Sequence, residues 1–117
     1  MINGAHAILY SHDADATRTT LAKVLGTRSV DAGDGWLIFA LPPAELAVHP
    51  AEEGGRAELY LMTDDVAATV SALQAEGIKV ARPISDQGWG LLTAIVLPGG
   101  VELGLYQPRH PTAAQPT

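Results

Sequence analysis

The second half of this chain repeats the first half, and this internal duplication constrains the fold more than any other feature. The segment that begins at His6 aligns with the segment that begins at Glu58, 52 positions later. Near the ends of the two halves Glu45 aligns with Glu102, where the offset has grown to 57 positions. Small insertions in loops produce such drift between duplicated modules. The repeat places one histidine and three glutamates at equivalent positions, which makes these residues a candidate four-residue metal site.

Length, composition and charge exclude several classes of protein. At 117 residues the chain has the length of one domain. No apolar run reaches the roughly 18 residues that span a bilayer, and the first residues lack the pattern of a secretory signal. The chain has no cysteine, which excludes disulfides and thiolate ligands. The formal net charge of −6 argues against a nucleic-acid partner. We therefore expect a cytoplasmic protein with no nucleic-acid or membrane partner.

Each half of the repeat has the pattern of a βαβββ module. In each half a helix follows the first strand: Asp13 caps the first helix and Gly26 ends it, while Asp64 or Asp65 caps the second and Gly77 ends it. The strands predicted by alternation and turn residues in the first half are 5–10, 27–31, 36–41 and 45–49. Those predicted in the second half are 58–63, 79–83, 91–97 and 101–106.

These modules define the expected domain layout. We expect a single domain over residues 1–108, with modules at about 4–50 and 57–107. From Pro108 the chain is rich in Pro, Ala and Thr, so residues 109–117 are expected to form a flexible tail.

Strand alternation gives each predicted strand two different faces. One face is aliphatic, and we expect the two helices to cover it. The other mixes carboxylate, imidazole, aromatic and small residues, which is typical of a ligand cavity rather than a core. The two tryptophans either stack on a planar ligand at the cavity mouth or close the ends of the sheets. The candidate ligand-binding residues are Tyr10, Trp36, His49, Tyr60, Trp89 and Tyr106.

Three segments make the chain resemble the vicinal oxygen chelate superfamily, which includes glyoxalase I, extradiol dioxygenases, fosfomycin-inactivating enzymes and bleomycin-resistance proteins. They are the strand that begins at His6, the segment 58–65 and the segment 98–103, and the resemblance covers about residues 4–108. It implies an α+β fold in which two tandem βαβββ modules form curled mixed sheets around a ligand cavity. It also implies a homodimer.

The resemblance places metal ligands on the first and last strands of the modules, at His6, Glu45, Glu58 and Glu102. Glu58 stands where those relatives usually have histidine. One imidazole with carboxylates suits Fe²⁺, Mn²⁺, Ni²⁺ or Co²⁺ better than Zn²⁺. In a glyoxalase-type scheme Glu102 is the first candidate to move a proton and Glu45 the second. Without a cation, three converging carboxylates would need a bound proton or water to offset their repulsion.

The sequence leaves two functions open, of which the first is the main prediction. The first is a divalent-metal-dependent enzyme of the glyoxalase or dioxygenase type that acts on a small oxygenated substrate. The alternative is a non-catalytic protein of the bleomycin-resistance type that captures an antibiotic, often aromatic and cationic. The acidic charge, the two tryptophans and the missing second histidine favour capture. Stoichiometric bound metal would favour catalysis.

Overall fold

The computed structural model describes residues 6–48, 50, 52–54 and 57–113. Within these ranges it contains two helices and seven strands, an α+β composition that confirms the predicted fold class. The helices are α1 (Ala14–Leu25) and α2 (Val66–Ala75). The strands are β1 (Ser29–Asp31), β2 (Leu37–Phe39), β3 (Tyr60–Met62), β4 (Lys79–Val80), β5 (Ser85–Asp86), β6 (Gly90–Leu97) and β7 (Val101–Pro108). No helix in the described part of the chain is long and apolar enough to cross a membrane.

The second half of the chain forms a five-stranded mixed sheet. Its strand order is β3-β7-β6-β4, and the short strand β5 also pairs with β6. Strand β3 runs parallel to β7, whereas the other pairs are antiparallel. The four main strands and α2 make the predicted βαβββ module. Strand β5 was not predicted; it forms because residues 85–86 pair with Leu91 and Leu92 ahead of the turn at Gly88.

The hydrophobic core lies between this sheet and the two helices. Alternate residues of β7 point into it, namely Val101, Leu103 and Leu105, and each is at least nine-tenths buried. Ile95 and Leu97 of β6 are almost completely buried beside them. Full burial of such a side chain stabilises the fold by about 1.5–3 kcal/mol. The predicted alternation of the second half is therefore confirmed, with the aliphatic face of this sheet covered by the helices.

The first half departs from the prediction. Strands β1 and β2 form a separate two-stranded sheet. The strands predicted at 5–10 and 45–49 are wrong over their described residues, 6–10 and 45–48, which are not strands. No described strand pairs with them, and an isolated extended segment has no ladder of hydrogen bonds to hold it. The aliphatic residues predicted to face a helix, Leu46 and Val48, are 94% and 91% exposed.

Both helices begin at the predicted capping residues. The Asp13 side chain accepts a hydrogen bond from the backbone N–H of Ala16 at 3.2 Å, and the Asp65 side chain accepts one from Ala68 at 3.1 Å. Asp65, rather than Asp64, is therefore the cap of α2. Helix α1 ends at Gly26, whose φ of 61° lies in the left-handed region that glycine adopts without strain.

The repeat extends to the side-chain hydrogen bonds around these caps. The Ser11 and Thr17 hydroxyls are 2.7 Å apart, and so are the hydroxyls of Thr63 and Thr69 at the equivalent positions. The first pair also contacts the second module, because the Thr17 hydroxyl reaches the carbonyl oxygen of Pro98. A hydrogen bond thus connects the first module to the second at the turn between β6 and β7.

Candidate functional site

Three aromatic side chains meet on the mixed face of the five-stranded sheet. The Tyr60 ring of β3 and the Tyr106 ring of β7 have centroids 5.8 Å apart at an interplanar angle of 88°. The Trp89 ring, just before β6, lies 5.6 Å from Tyr106 at 79°. Both pairs are edge-to-face, an arrangement that contributes about 0.5–1.5 kcal/mol beyond the burial of area. The three rings therefore form one aromatic cluster, called the aromatic cluster below.

Strand register explains why these rings converge. Tyr60 lies opposite Gly104 in the parallel pair β3–β7. A Cβ atom at Gly104 would come within 2.2 Å of the Tyr60 ring, so only glycine leaves room for that ring. In the antiparallel pair β6–β7, Leu92 lies opposite Tyr106 and Gly90 opposite Pro108, which brings the preceding Trp89 towards Tyr106.

Both phenol groups of the cluster interact with a carboxylate, one through a hydrogen bond and the other through charge. The Tyr60 hydroxyl donates a hydrogen bond to the Glu58 carboxylate. Burial raises the pKa of the Tyr106 hydroxyl above its ordinary value, and the negative charge of Glu45 raises it further. The Tyr106 hydroxyl therefore stays protonated in the physiological range.

The candidate metal ligands do not assemble into a centre. Glu102 forms an exposed ion pair with Arg82 at 2.7 Å, and Glu45 accepts a hydrogen bond from the backbone N–H of Ala113 at 2.8 Å. His6 is exposed. Across the described ranges, no group of three or more His, Asp or Glu side chains is placed to hold a metal ion. This donor set does not fit a metal centre within one chain, and metal binding stays a prediction of the sequence.

The structure brings together half of the six predicted ligand-binding residues. Tyr60, Trp89 and Tyr106 form the cluster. Tyr10 is 87% exposed. Trp36 is 64% exposed and lies under the Arg18 guanidinium, 5.1 Å from its ring centroid. The remaining residue, His49, lies outside the described residues.

Sequence reasoning missed one ring beside the cluster. The sequence analysis placed His110 in a flexible tail. In the structure the centroid of its imidazole lies 6.1 Å from that of the Tyr106 ring, at an interplanar angle of 35°. Its Nε2 atom is 3.3 Å from the Tyr106 hydroxyl. His110 follows the end of β7, so strand alternation gave no signal for its position.

Arg109, the residue before His110, holds the segment after β7 in place. The Arg109 guanidinium contacts both carboxylate oxygens of Asp86, at 2.9 and 2.8 Å. Its backbone N–H donates to the carbonyl oxygen of Trp89 at 2.9 Å. The backbone N–H of Gly88 and the Arg109 side chain together hold the pKa of Asp86 below its ordinary value. Residues 109–113 are called the C-terminal strap below.

Comparison with known families gives one match over most of the chain. The family described as the Glyoxalase/Bleomycin resistance protein/Dioxygenase superfamily matches residues 5–105. A comparison with curated proteins gives no match.

Several solved structures share the fold. The antibiotic-binding protein TnmS3 from a Streptomyces species is 26% identical, with a TM-score of 0.58 over 89% of this chain and 99% of that chain. Lactoylglutathione lyase from Agrobacterium tumefaciens is 18% identical, with a TM-score of 0.63 over 90% and 92%. TioX from a Micromonospora species is 17% identical, with a TM-score of 0.53 over 90% and 99%. At such identities the last two show the fold alone.

Proposed function

Because this chain belongs to the glyoxalase/bleomycin resistance protein/dioxygenase superfamily, we propose that it captures a planar, aromatic, positively charged small molecule without catalysing a reaction. One observation carries the proposal: the edge-to-face cluster of Tyr60, Tyr106 and Trp89 has the Glu58 carboxylate in contact with the Tyr60 hydroxyl. TnmS3, the relative described as an antibiotic-binding protein, supports the capture of a small molecule.

The chemistry of the cluster suits such a ligand. A cation over the face of a tryptophan or tyrosine ring gains about 0.5–2 kcal/mol, and more when water is excluded. Glu58 lies next to Tyr60, and the charge of Glu45 reaches Tyr106, so a cationic ring system would meet negative charge at both phenols. The net charge of −6 draws cations towards the protein at longer range.

Catalysis of the glyoxalase or dioxygenase type has less support. It needs a divalent metal held by converging side chains, with Glu102 or Glu45 free to move a proton. In this structure Glu102 is paired with Arg82, and Glu45 is bonded to the strap. Both candidate catalytic residues are occupied by structural contacts.

Exposed surface supports a homodimer as part of this function. In the described part of the chain Tyr10, Leu46 and Val48 are 87%, 94% and 91% exposed. Exposed apolar side chains that lie together are typical of an interaction surface. A second copy that covered these residues would remove their apolar surface from water.

A pair of planar probes of opposite charge tests capture. Proflavine is a planar cation and anthraquinone-2-sulfonate a planar anion, so their affinities separate charge from stacking. The chain has two tryptophans, and the Trp36→Phe variant leaves Trp89 as the only indole fluorophore. We expect proflavine to quench Trp89 in a saturable way and the sulfonate to bind at least about tenfold more weakly, a difference of 1.4 kcal/mol.

A charge-removing variant at the edge of the cluster, with a matched control, tests the contribution of the Glu58 carboxylate to binding. Glu58→Gln removes the charge beside Tyr60 and should weaken proflavine binding several-fold. Glu52→Gln changes the net charge equally at an exposed position in the linker and should have no effect. Equal affinity for the two probes, or no saturable quenching of Trp89, would overturn the proposal.

A further inference from the structure

The C-terminal strap (residues 109–113) lies beside the aromatic cluster. Hydrogen bonds of Arg109 and Ala113, on either side of His110, hold it there. We propose that the strap is a latch over the ligand site, with His110 occupying the place against Tyr106 that a planar ligand takes. Ligand binding then requires the strap to release. This inference rests on the proposed function and adds a conformational step to it.

The first fastening is at Arg109. Its guanidinium forms a two-point contact with Asp86, and its backbone N–H donates to the Trp89 carbonyl oxygen. The strap is thus attached to the residue that carries one of the cluster rings. Both side chains of the ion pair are about half exposed, at 45% and 57%. Ion pairs exposed to water are weak, so this contact can open without disturbing the core.

The second fastening is at the far end of the strap. The backbone N–H of Ala113 donates to Oε1 of Glu45 at 2.8 Å. Glu45 belongs to the other module, and it is also the acid whose charge reaches Tyr106. The strap therefore uses a carboxylate that a cationic ligand would otherwise meet at the cluster.

His110 lies between the two fastenings. Its ring makes the smallest angle to Tyr106, 35°, whereas Tyr60 and Trp89 stand nearly perpendicular to that ring. The imidazole lies at the hydroxyl end of Tyr106, so a flat ligand that extends over that end of the ring needs the space that the imidazole fills. Nε2 lies 3.3 Å from the Tyr106 hydroxyl, within hydrogen-bonding distance. His110 and a planar ligand would therefore compete for the same ring.

The rate and affinity of proflavine binding test the latch. Arg109→Ala removes the first fastening and His110→Ala removes the competing ring. We expect both variants to bind proflavine faster and more tightly, by about tenfold if the strap is open about a tenth of the time. Arg28→Ala, at an exposed position in the other module, makes the same change in net charge as Arg109→Ala and should bind like the wild type.

A second measurement follows the strap without ligand. The NMR resonances of the His110 ring should carry a ring-current shift from Tyr106 in the wild type and lose it in Arg109→Ala. Weaker or unchanged proflavine binding in both variants, or an unaltered His110 resonance, would overturn the latch while leaving capture intact. If neither the wild type nor any variant binds proflavine, the proposed function itself is overturned.

Discussion

The hydroxyl of Thr17 in α1 lies 2.5 Å from the backbone carbonyl oxygen of Pro98, in the turn between β6 and β7. Thr17 is 4% exposed, so this contact is shielded from water. Thr17 and its equivalent Thr69 each also bond to the carbonyl oxygen of their own cap residue, Asp13 at 2.8 Å and Asp65 at 2.9 Å. In the described part of the chain, the first copy of the motif is the one that connects the two modules.

This difference predicts unequal effects for one substitution made at both sites. Thr17→Val removes a buried hydroxyl and leaves the Pro98 carbonyl with a weaker partner, so it should lower the free energy of unfolding by about 1–3 kcal/mol. Thr69→Val is the matched control, and its effect should be smaller because Thr69 is less buried. Urea denaturation followed by circular dichroism measures both. A larger loss for Thr69→Val would contradict the link between modules.

Gly104 is predicted to be required for the aromatic cluster. In Gly104→Ala the added methyl group would overlap the Tyr60 ring and force that ring to move. Overpacking of this kind costs about 1–3 kcal/mol. Near-ultraviolet circular dichroism should lose part of its tyrosine and tryptophan signal, and proflavine binding should weaken. Gly54→Ala, where the added methyl group meets open space, should change neither measurement.

The ionisation of Tyr106 predicts a stability change at alkaline pH. Its pKa in the folded protein is raised, first by burial and then by the charge of Glu45. A raised folded pKa means that stability is fully present below the unfolded value of about 10 and is lost as pH rises through the folded pKa. Absorbance at 295 nm, compared between the wild type and Tyr106→Phe, isolates the ionisation of Tyr106, and Glu45→Gln should lower the pKa of Tyr106. A Tyr106 transition at or below the ordinary tyrosine value would contradict this environment.

The exposed aliphatic residues of the first module predict a disruptable dimer. Light scattering coupled to size exclusion should give twice the chain mass for the wild type at micromolar concentration. Leu46→Asp places a charge on the apolar surface and should shift the protein to the monomer. Ala72→Asp adds the same charge at an exposed position of α2, away from the first module, and should leave the dimer intact. Wild-type protein of monomer mass would refute the homodimer.

Metal analysis decides between the two functions that the sequence left open. Protein purified without chelators should carry substoichiometric Fe, Mn, Ni, Co and Zn, because Glu102 and Glu45 are engaged elsewhere. One equivalent of metal that disappears in both His6→Ala and Glu102→Gln would restore the metal-dependent enzyme. Elemental analysis of the three proteins side by side is sufficient.

The second module could be predicted from sequence because its local patterns and its packing agree. Alternation along β7 separates Leu103 and Leu105 from Tyr106, and the hydrophobic core requires that separation. The same alternation placed Tyr60 and Tyr106 on one face. The convergence of Trp89 with them needed the register of β6 against β7, which sequence alone does not specify.

The first module followed its sequence less closely. Helix α1 formed between Asp13 and Gly26 as predicted, since caps act locally. The predicted strands around Tyr10 and Leu46 depend on a neighbouring strand, and alternation cannot say whether that strand comes from the same chain. His110 was missed because it lies beyond the last strand and is positioned by its neighbours rather than by periodicity.

The two-stranded sheet β1–β2 shares no strand pairing with the five-stranded sheet, and this isolation sets where the molecule fluctuates. Amide protons in a hairpin without further strands exchange with solvent through small local openings, whereas those of β6 and β7 exchange only when the core opens. The β1–β2 hairpin can thus open and re-form without global unfolding, while Leu21 and Val24 keep α1 packed against the core. Hydrogen exchange should therefore find the backbone of this hairpin open far more often than that of the helix beside it.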